Sequence, residues 1–184
     1  MRAVWIGVPE SFLEERHRLG HDKKDELWEG VLHMVPPPSS AHMLLSTRLA
    51  MALQRLVEPR GLIVVNSDPG VFGSGRNYRV PDIAVVSPTR ISPRGLEGAE
   101  LVIEVLSPED ESRDKFPFYA NVGVREIWLV EPSNRATEIY ELVEGEYRPV
   151  PFVEGVARSP VLGIELRVSG DQLELRDGTD RATI

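Results

Sequence analysis

From residue 62 to residue 143 the chain repeats one pattern, short apolar runs rich in Val and Ile set apart by Gly, Pro, Asn or Asp. LIVVN (62–66), IAVV within RVPDIAVV (79–86), LVIEVL (101–106), EIWLVE (126–131) and TEIYELV (137–143) read as strands, and VLHMV (31–35) is an earlier one. A different period interrupts them. Leu45, Leu49, Ala52, Leu53 and Leu56 recur at helical spacing behind PPPSS, so Ser39 or Ser40 caps a helix that stops near Pro59 and Gly61. A shorter helical piece spans roughly Glu10 to Leu19. GVFGSGRNY (70–78) reads as a hairpin connection, because its glycines lack the spacing and the Lys of a phosphate loop.

Between LVIEVL and EIWLVE lies one more short helix. Pro117 is tolerated in a first turn, which makes Asp114 the cap, puts Lys115 just inside, and lets Gly123 end the helix. Lys115 and Tyr119 then share a face with Val122. A strand, helix, strand succession of this length is a crossover between parallel neighbours. The expected fold class is α/β (α+β), a mixed sheet flanked by helices.

A chain of 184 residues is most simply one domain, with an N-terminal extension to about residue 38, a core over about 39–150 and a β-rich tail over about 151–184. It has no cysteine, which excludes disulfides and thiolate-bound metal. No apolar run is long enough to span a bilayer and the N-terminus lacks a signal-peptide core, so a soluble, cytoplasmic protein without membrane contact is expected. The net charge of −8 argues at first against nucleic acid. Its distribution changes that picture, because residues 1–100 hold 12 basic and 12 acidic side chains and the whole excess lies beyond them. Arg76, Arg79, Arg90 and Arg94 flank RVPDIAVV; taken one by one, they read as solvated loop arginines.

Glu104 interrupts an otherwise apolar run, and a carboxylate buried without a partner costs several kcal/mol. Asp82 opens the preceding strand, so the two acids converge if their strands are neighbours. With the Val105 carbonyl they form the hard oxygen set that Mg²⁺ prefers. The alternatives are a buried ion pair of Glu104 with Arg113 or Arg125, and an ordinary Pro-Asp turn at Asp82. Lys115 would bring an ammonium toward the same pocket, where it could orient water or stabilise charge on a phosphate.

Pro81-Asp82, then Glu104-Val105-Leu106-Ser107-Pro108, Lys115-Phe116-Pro117-Phe118-Tyr119 and Gly123-Val124-Arg125-Glu126-Ile127-Trp128-Leu129-Val130 together resemble the Uma2 family, also called DUF820. That family is similar in fold to the PD-(D/E)xK restriction endonucleases. The stretch DELWEGVLHMVPPPSSAH, with Glu26, Gly30 and His42, resembles the family's N-terminal portion, and the likeness runs from about residue 10 to about residue 150. The resemblance implies a restriction endonuclease-like domain that hydrolyses nucleic-acid phosphodiesters, DNA foremost, with Mg²⁺ or Mn²⁺. It implies Asp82 and Glu104 as metal ligands and Lys115 as the active-site lysine. The parent pattern places its lysine two residues after the glutamate; that position is Leu106 here, and Lys115 on the next helix takes the role.

Lesser candidates are His42, where the resemblance places a histidine, Glu29 beside Gly30, Asp68 in NSDPG and Ser107 after the strand. The plainer readings of His42, Asp68 and Ser107 are an inward structural histidine and two turn residues. Tyr119 and Trp128 read as core. A nuclease acting on duplex needs two sites, so a homodimer is expected. Two rivals stand beside the nuclease: a non-catalytic, nucleic-acid-associated or regulatory protein that retains the fold, and a metal-free hydrolase using Asp82 and Glu104 as an acid/base pair.

Overall fold

The computed structural model describes residues 9–66, 68–74, 77–108 and 111–184, so Arg76 lies outside the described residues. Helix α1 (Glu10–Leu19) is followed by strands β1 (Glu26–Trp28) and β2 (Val31–His33), helix α2 (Ser40–Val57) and β3 (Ile63–Asn66). Next come β4 (Val71–Phe72), β5 (Tyr78–Arg79), β6 (Ile83–Val86), β7 (Ile91–Ser92), β8 (Gly95–Leu96) and β9 (Leu101–Val105). A tighter helical turn (Ser112–Lys115) leads into α3 (Phe116–Asn121) and β10 (Glu126–Val130). The chain then runs through β11 (Thr137–Val143), β12 (Glu146–Val150), β13 (Val156–Arg158), β14 (Glu165–Ser169), β15 (Gln172–Asp177) and β16 (Asp180–Thr183).

The central sheet has the order β12-β11-β10-β9-β6-β3, and β9 and β10 are its parallel pair, joined by the α3 crossover. The mixed α+β architecture expected from the apolar runs is therefore present. β6, β9 and β10 are buried at every position because both faces of the sheet are covered. Their side chains alternate between two cores. Ile83, Val85, Ile103 and Trp128 pack with Leu45, Leu49 and Leu53 of α2 and with Leu166 and Leu175 of the C-terminal sheet β13-β14-β15-β16. Ala84, Val86, Val102, Ile127 and Leu129 pack with Phe118 and Tyr119 of α3 and with Val71 and Leu96 of a third sheet, β2-β1-β5-β4-β8-β7.

Helix α2 starts where the capping argument places it. The Ser39 hydroxyl accepts from the His42 N–H at 3.2 Å, and the helix gives way at Pro59 and a left-handed Gly61. The glycine-rich connection is a hairpin, since β4 and β5 pair antiparallel. No helix among the described residues is long and apolar enough to cross a membrane.

Two local expectations are corrected and one strand is added. The strand expected over 31–35 ends at His33, because the prolines ahead cannot extend a ladder and the Val35 N–H donates to the Asp25 carboxylate at 3.0 Å instead. β1 was not anticipated; it pairs with β2 across Glu29-Gly30, both at positive φ (47° and 87°), as a two-residue hairpin turn requires. The crossover helix begins at Phe116 rather than after Asp114, since Asp114 and Lys115 belong to the tighter turn, whose Asp114 N–H reaches the Glu111 carbonyl at 2.9 Å.

Candidate active site

The register of two strands brings the acids together. Ile83 of β6 faces Ile103 of β9 in an antiparallel ladder, so one step further Asp82 lies opposite Glu104. Pro81 has no N–H to extend the ladder, and the Asp82 side chain takes up the gap: its Oδ2 accepts the Val105 N–H at 2.9 Å. Both acids are buried, Asp82 at 9% exposure and Glu104 at 4%.

Glu104 is compensated, by neither of the arginines considered from sequence. Arg113 pairs with Glu138 and Arg125 with Glu100. The ammonium of Lys115 donates to both oxygens of Glu104, at 3.1 and 3.2 Å, and the Tyr119 hydroxyl donates to Oε1 at 2.7 Å. Lys115 and Tyr119 thus share the face that their spacing predicts and close on one carboxylate. Lys115 also lies 2.9 Å from Glu26 Oε1. That oxygen accepts the Val80 N–H at 2.8 Å, and Glu26 Oε2 accepts from the Trp28 indole at 2.7 Å. One ammonium is therefore shared by two buried glutamates.

Asp82 has its own partners. Lys24 donates to Oδ1 at 3.0 Å, and His42 Nε2 lies 2.8 Å from Oδ2. Burial pushes the Asp82 carboxyl up, but His42, Lys24 and the Val105 N–H outweigh it and hold Asp82 well below the usual carboxylate range. Glu104 goes the other way: burial, reinforced by the charges of Asp82 and Glu26, overcomes Lys115 and Tyr119 and pushes its carboxyl up to about 7. Burial works against the charge on Lys115, yet Glu104 and Glu26 dominate and hold it protonated.

Beneath this cluster Arg79 is 2% exposed, not the solvated loop arginine expected. Its guanidinium lies between the Trp28 and Phe118 rings, 4.3 Å from each centroid, and donates to the Leu27 carbonyl at 2.8 Å and the Asn77 side chain at 2.7 Å. His33 stacks on the far face of Trp28 at 4.1 Å, which extends the column. Tyr119 and Trp128 are fully buried.

Of the residues singled out from sequence, Asp82, Glu104, Lys115 and His42 come together. Glu29, Asp68 and Ser107 lie exposed. Glu29 is an exposed turn residue that contacts Asn77; Asp68 is exposed after β3, and Ser107 is exposed just past the end of β9. Lys24 and Glu26 belong to the cluster and were not proposed for it. Lys24 carries no local signal, and Glu26 only its place in the stretch that resembles the family's N-terminal portion; Asp25 between them turns away to Arg16 and the Val35 N–H.

Hard oxygen donors in a buried, acid-rich cluster suit a divalent cation. Burial first, and the neighbouring Asp82 and Glu26 charges after it, raise the Glu104 carboxyl, and a cation bound there would relieve both. Among the described residues no three ligating side chains already converge as a metal cage; the acids are engaged with Lys24, His42 and Lys115.

The Uma2 family model, described as "Putative restriction endonuclease", matches residues 9–175. A search of curated proteins finds no match. Among solved structures, a "putative nuclease belonging to DUF820" from Anabaena variabilis is similar at 21% identity with a TM-score of 0.62, covering 82% of this chain and 90% of that one. At that identity the likeness concerns the fold.

Proposed function

The chain belongs to the Uma2 family, and from this premise and the geometry of its buried acids we propose that it is a metal-dependent endonuclease acting on nucleic-acid phosphodiester bonds, DNA foremost, as a homodimer. The observation that carries the reading is Asp82 and Glu104, adjacent across two strands, with the Lys115 ammonium on Glu104. Asp82, Glu104 and the Val105 carbonyl would hold Mg²⁺ or Mn²⁺. Such an ion supplies Lewis acidity at the phosphate and acidifies water.

The chain's own residues do the rest. Lys115, kept protonated between Glu104 and Glu26, offers N–H donors to a phosphate oxygen as negative charge develops there. Tyr119 fixes the orientation of Glu104, and Glu26, anchored by the Val80 N–H and the Trp28 indole, fixes that of Lys115. The Val105 N–H and His42 keep Asp82 ionised and in place. A second reading, a non-catalytic nucleic-acid-associated protein that retains the fold, is favoured by one observation: each acid of the cluster already has a cation of the chain beside it.

Calorimetric titration of Mn²⁺ and Mg²⁺ into wild type and Glu104→Gln, with plasmid and single-stranded substrates on the same samples at low salt, tests the nuclease. The expected result is metal binding and metal-dependent cleavage in wild type, both lost in the variant. Metal binding without cleavage of any nucleic acid would favour the second reading, and a wild type that binds no metal would overturn the nuclease.

A further inference from the structure

Asp82 has two oxygens, and they are not equally available. Oδ2 is held by the Val105 N–H of strand β9 at 2.9 Å and lies 2.8 Å from His42 of helix α2, whereas the partner of Oδ1 among the described residues is the Lys24 ammonium at 3.0 Å. We propose, on the premise of the nuclease reading, that Lys24 is a built-in competitor for the divalent cation: it neutralises Asp82 in the metal-free protein, and metal binding displaces it from Oδ1 toward the phosphate of the substrate.

Several features place Lys24 in that role and separate it from Lys115. Lys115 is pinned from two sides by glutamates, but Lys24 has one carboxylate partner and sits in the turn between α1 and β1, its side chain 19% exposed against 12% for Lys115. It can swing outward without breaking a second ion pair. The backbone beneath it stays fixed while it does so. Asp25 is locked by the Arg16 guanidinium and the Val35 N–H, and Glu26 by the Val80 N–H and the Trp28 indole. A lysine is suited to this because its flexible stem moves a compact charge without moving the chain.

An ammonium at Oδ1 and a cation ligated there exclude each other. An ion that binds the protein must therefore remove one charge-assisted hydrogen bond, a penalty that Lys24→Gln relieves. The displaced ammonium keeps its charge and remains on the flexible stem, within reach of an anionic substrate.

The test is calorimetric titration of Mn²⁺, without nucleic acid, into the full chain as wild type, Lys24→Gln and Lys24→Arg. Lys24→Gln is expected to bind Mn²⁺ about tenfold more tightly, the order expected for one charge-assisted hydrogen bond at a part-exposed site, while Lys24→Arg stays near wild type. The same glutamine variant is expected to raise KM for nucleic acid, and thermal unfolding, somewhat lowered because Asp82 loses a cation, shows that it remains folded. Equal or weaker Mn²⁺ binding by a folded Lys24→Gln protein overturns the competition and leaves the nuclease reading standing. Absence of Mn²⁺ binding in all three proteins overturns the nuclease reading and this inference with it.

Discussion

Replacing Lys115 by methionine removes one charge and leaves two buried glutamates to share what remains. Glu104 keeps the Tyr119 hydroxyl at 2.7 Å, and Glu26 keeps the Val80 N–H at 2.8 Å and the Trp28 indole at 2.7 Å. In wild type the Glu104 carboxyl is at about 7, raised from its ordinary 4.5. The folded state thus holds a proton that the unfolded chain has released, and stability falls as pH rises from about 4.5 to about 7, then levels off. Without Lys115 the carboxyl rises further, so the decline continues above pH 7 at ~1.4 kcal/mol per pH unit. Below pH 7 the two proteins run in parallel, separated by the lost hydrogen bonds, about 1–2 kcal/mol. By pH 8.5 the gap widens by about another 2 kcal/mol, which brings it near the ~3–5 kcal/mol expected for an orphaned buried charge. Urea unfolding of both proteins at pH 6, 7 and 8.5 measures this directly. A gap that is constant across that range, or a variant more stable than wild type at pH 8.5, would refute the pairing of Lys115 with a buried, raised Glu104.

Tyr119→Phe deletes a donor to the carboxylate form of Glu104, so the midpoint of Glu104, read by carboxyl NMR, should move upward, at a stability cost of about 1–2 kcal/mol; an unmoved midpoint would sink the assignment. Arg79→Ala opens the space between the Trp28 and Phe118 rings and should cost about 3–5 kcal/mol in unfolding free energy, a loss that Arg79→Lys restores only in part because an ammonium cannot fill a stacked plane. A cost below about 1 kcal/mol, typical of surface positions, would return Arg79 to a surface role. Glu126→Gln places an amide among three donors, the Trp128 indole, the Ser159 hydroxyl and the Val161 N–H, and should cost about 1–3 kcal/mol. Hydrogen exchange should then speed up at Val161 and Leu162, with cleavage unaffected, because Glu126 pairs with Leu101, three residues along β9 from Glu104; unchanged exchange there would show that the carboxylate does not hold this loop.

Much of the architecture was legible in the chain because it rests on local or periodic signals. Five apolar runs between residues 62 and 143 became strands, three of them buried at every position, since only a sheet covered on both faces can use such runs. The spacing of Leu45, Leu49, Leu53 and Leu56 became the buried face of α2, and Ser39 became its cap. An acid inside an apolar run marked Glu104, and the four-residue step from Lys115 to Tyr119 put those two side chains on one face. These are consequences of helix and strand geometry, which act over a few residues.

What the chain alone left open depends on contacts between residues far apart in it. Nothing local distinguishes Lys115 from Arg113 or Arg125 as the partner of Glu104; the α3 crossover decides it by returning the chain over β9. Glu29 and Glu26 stand three apart with equal claims in sequence, yet the hairpin turn exposes the first, and the pairing of β1 with β5 buries the second against Lys115. Lys24 and Arg79 carry no local pattern at all, and their roles exist only because β1 folds back beside Asp82 and Phe118 closes over the guanidinium. Charge pairing in a buried site is a property of distances in space, and those distances are set when the sheets pack.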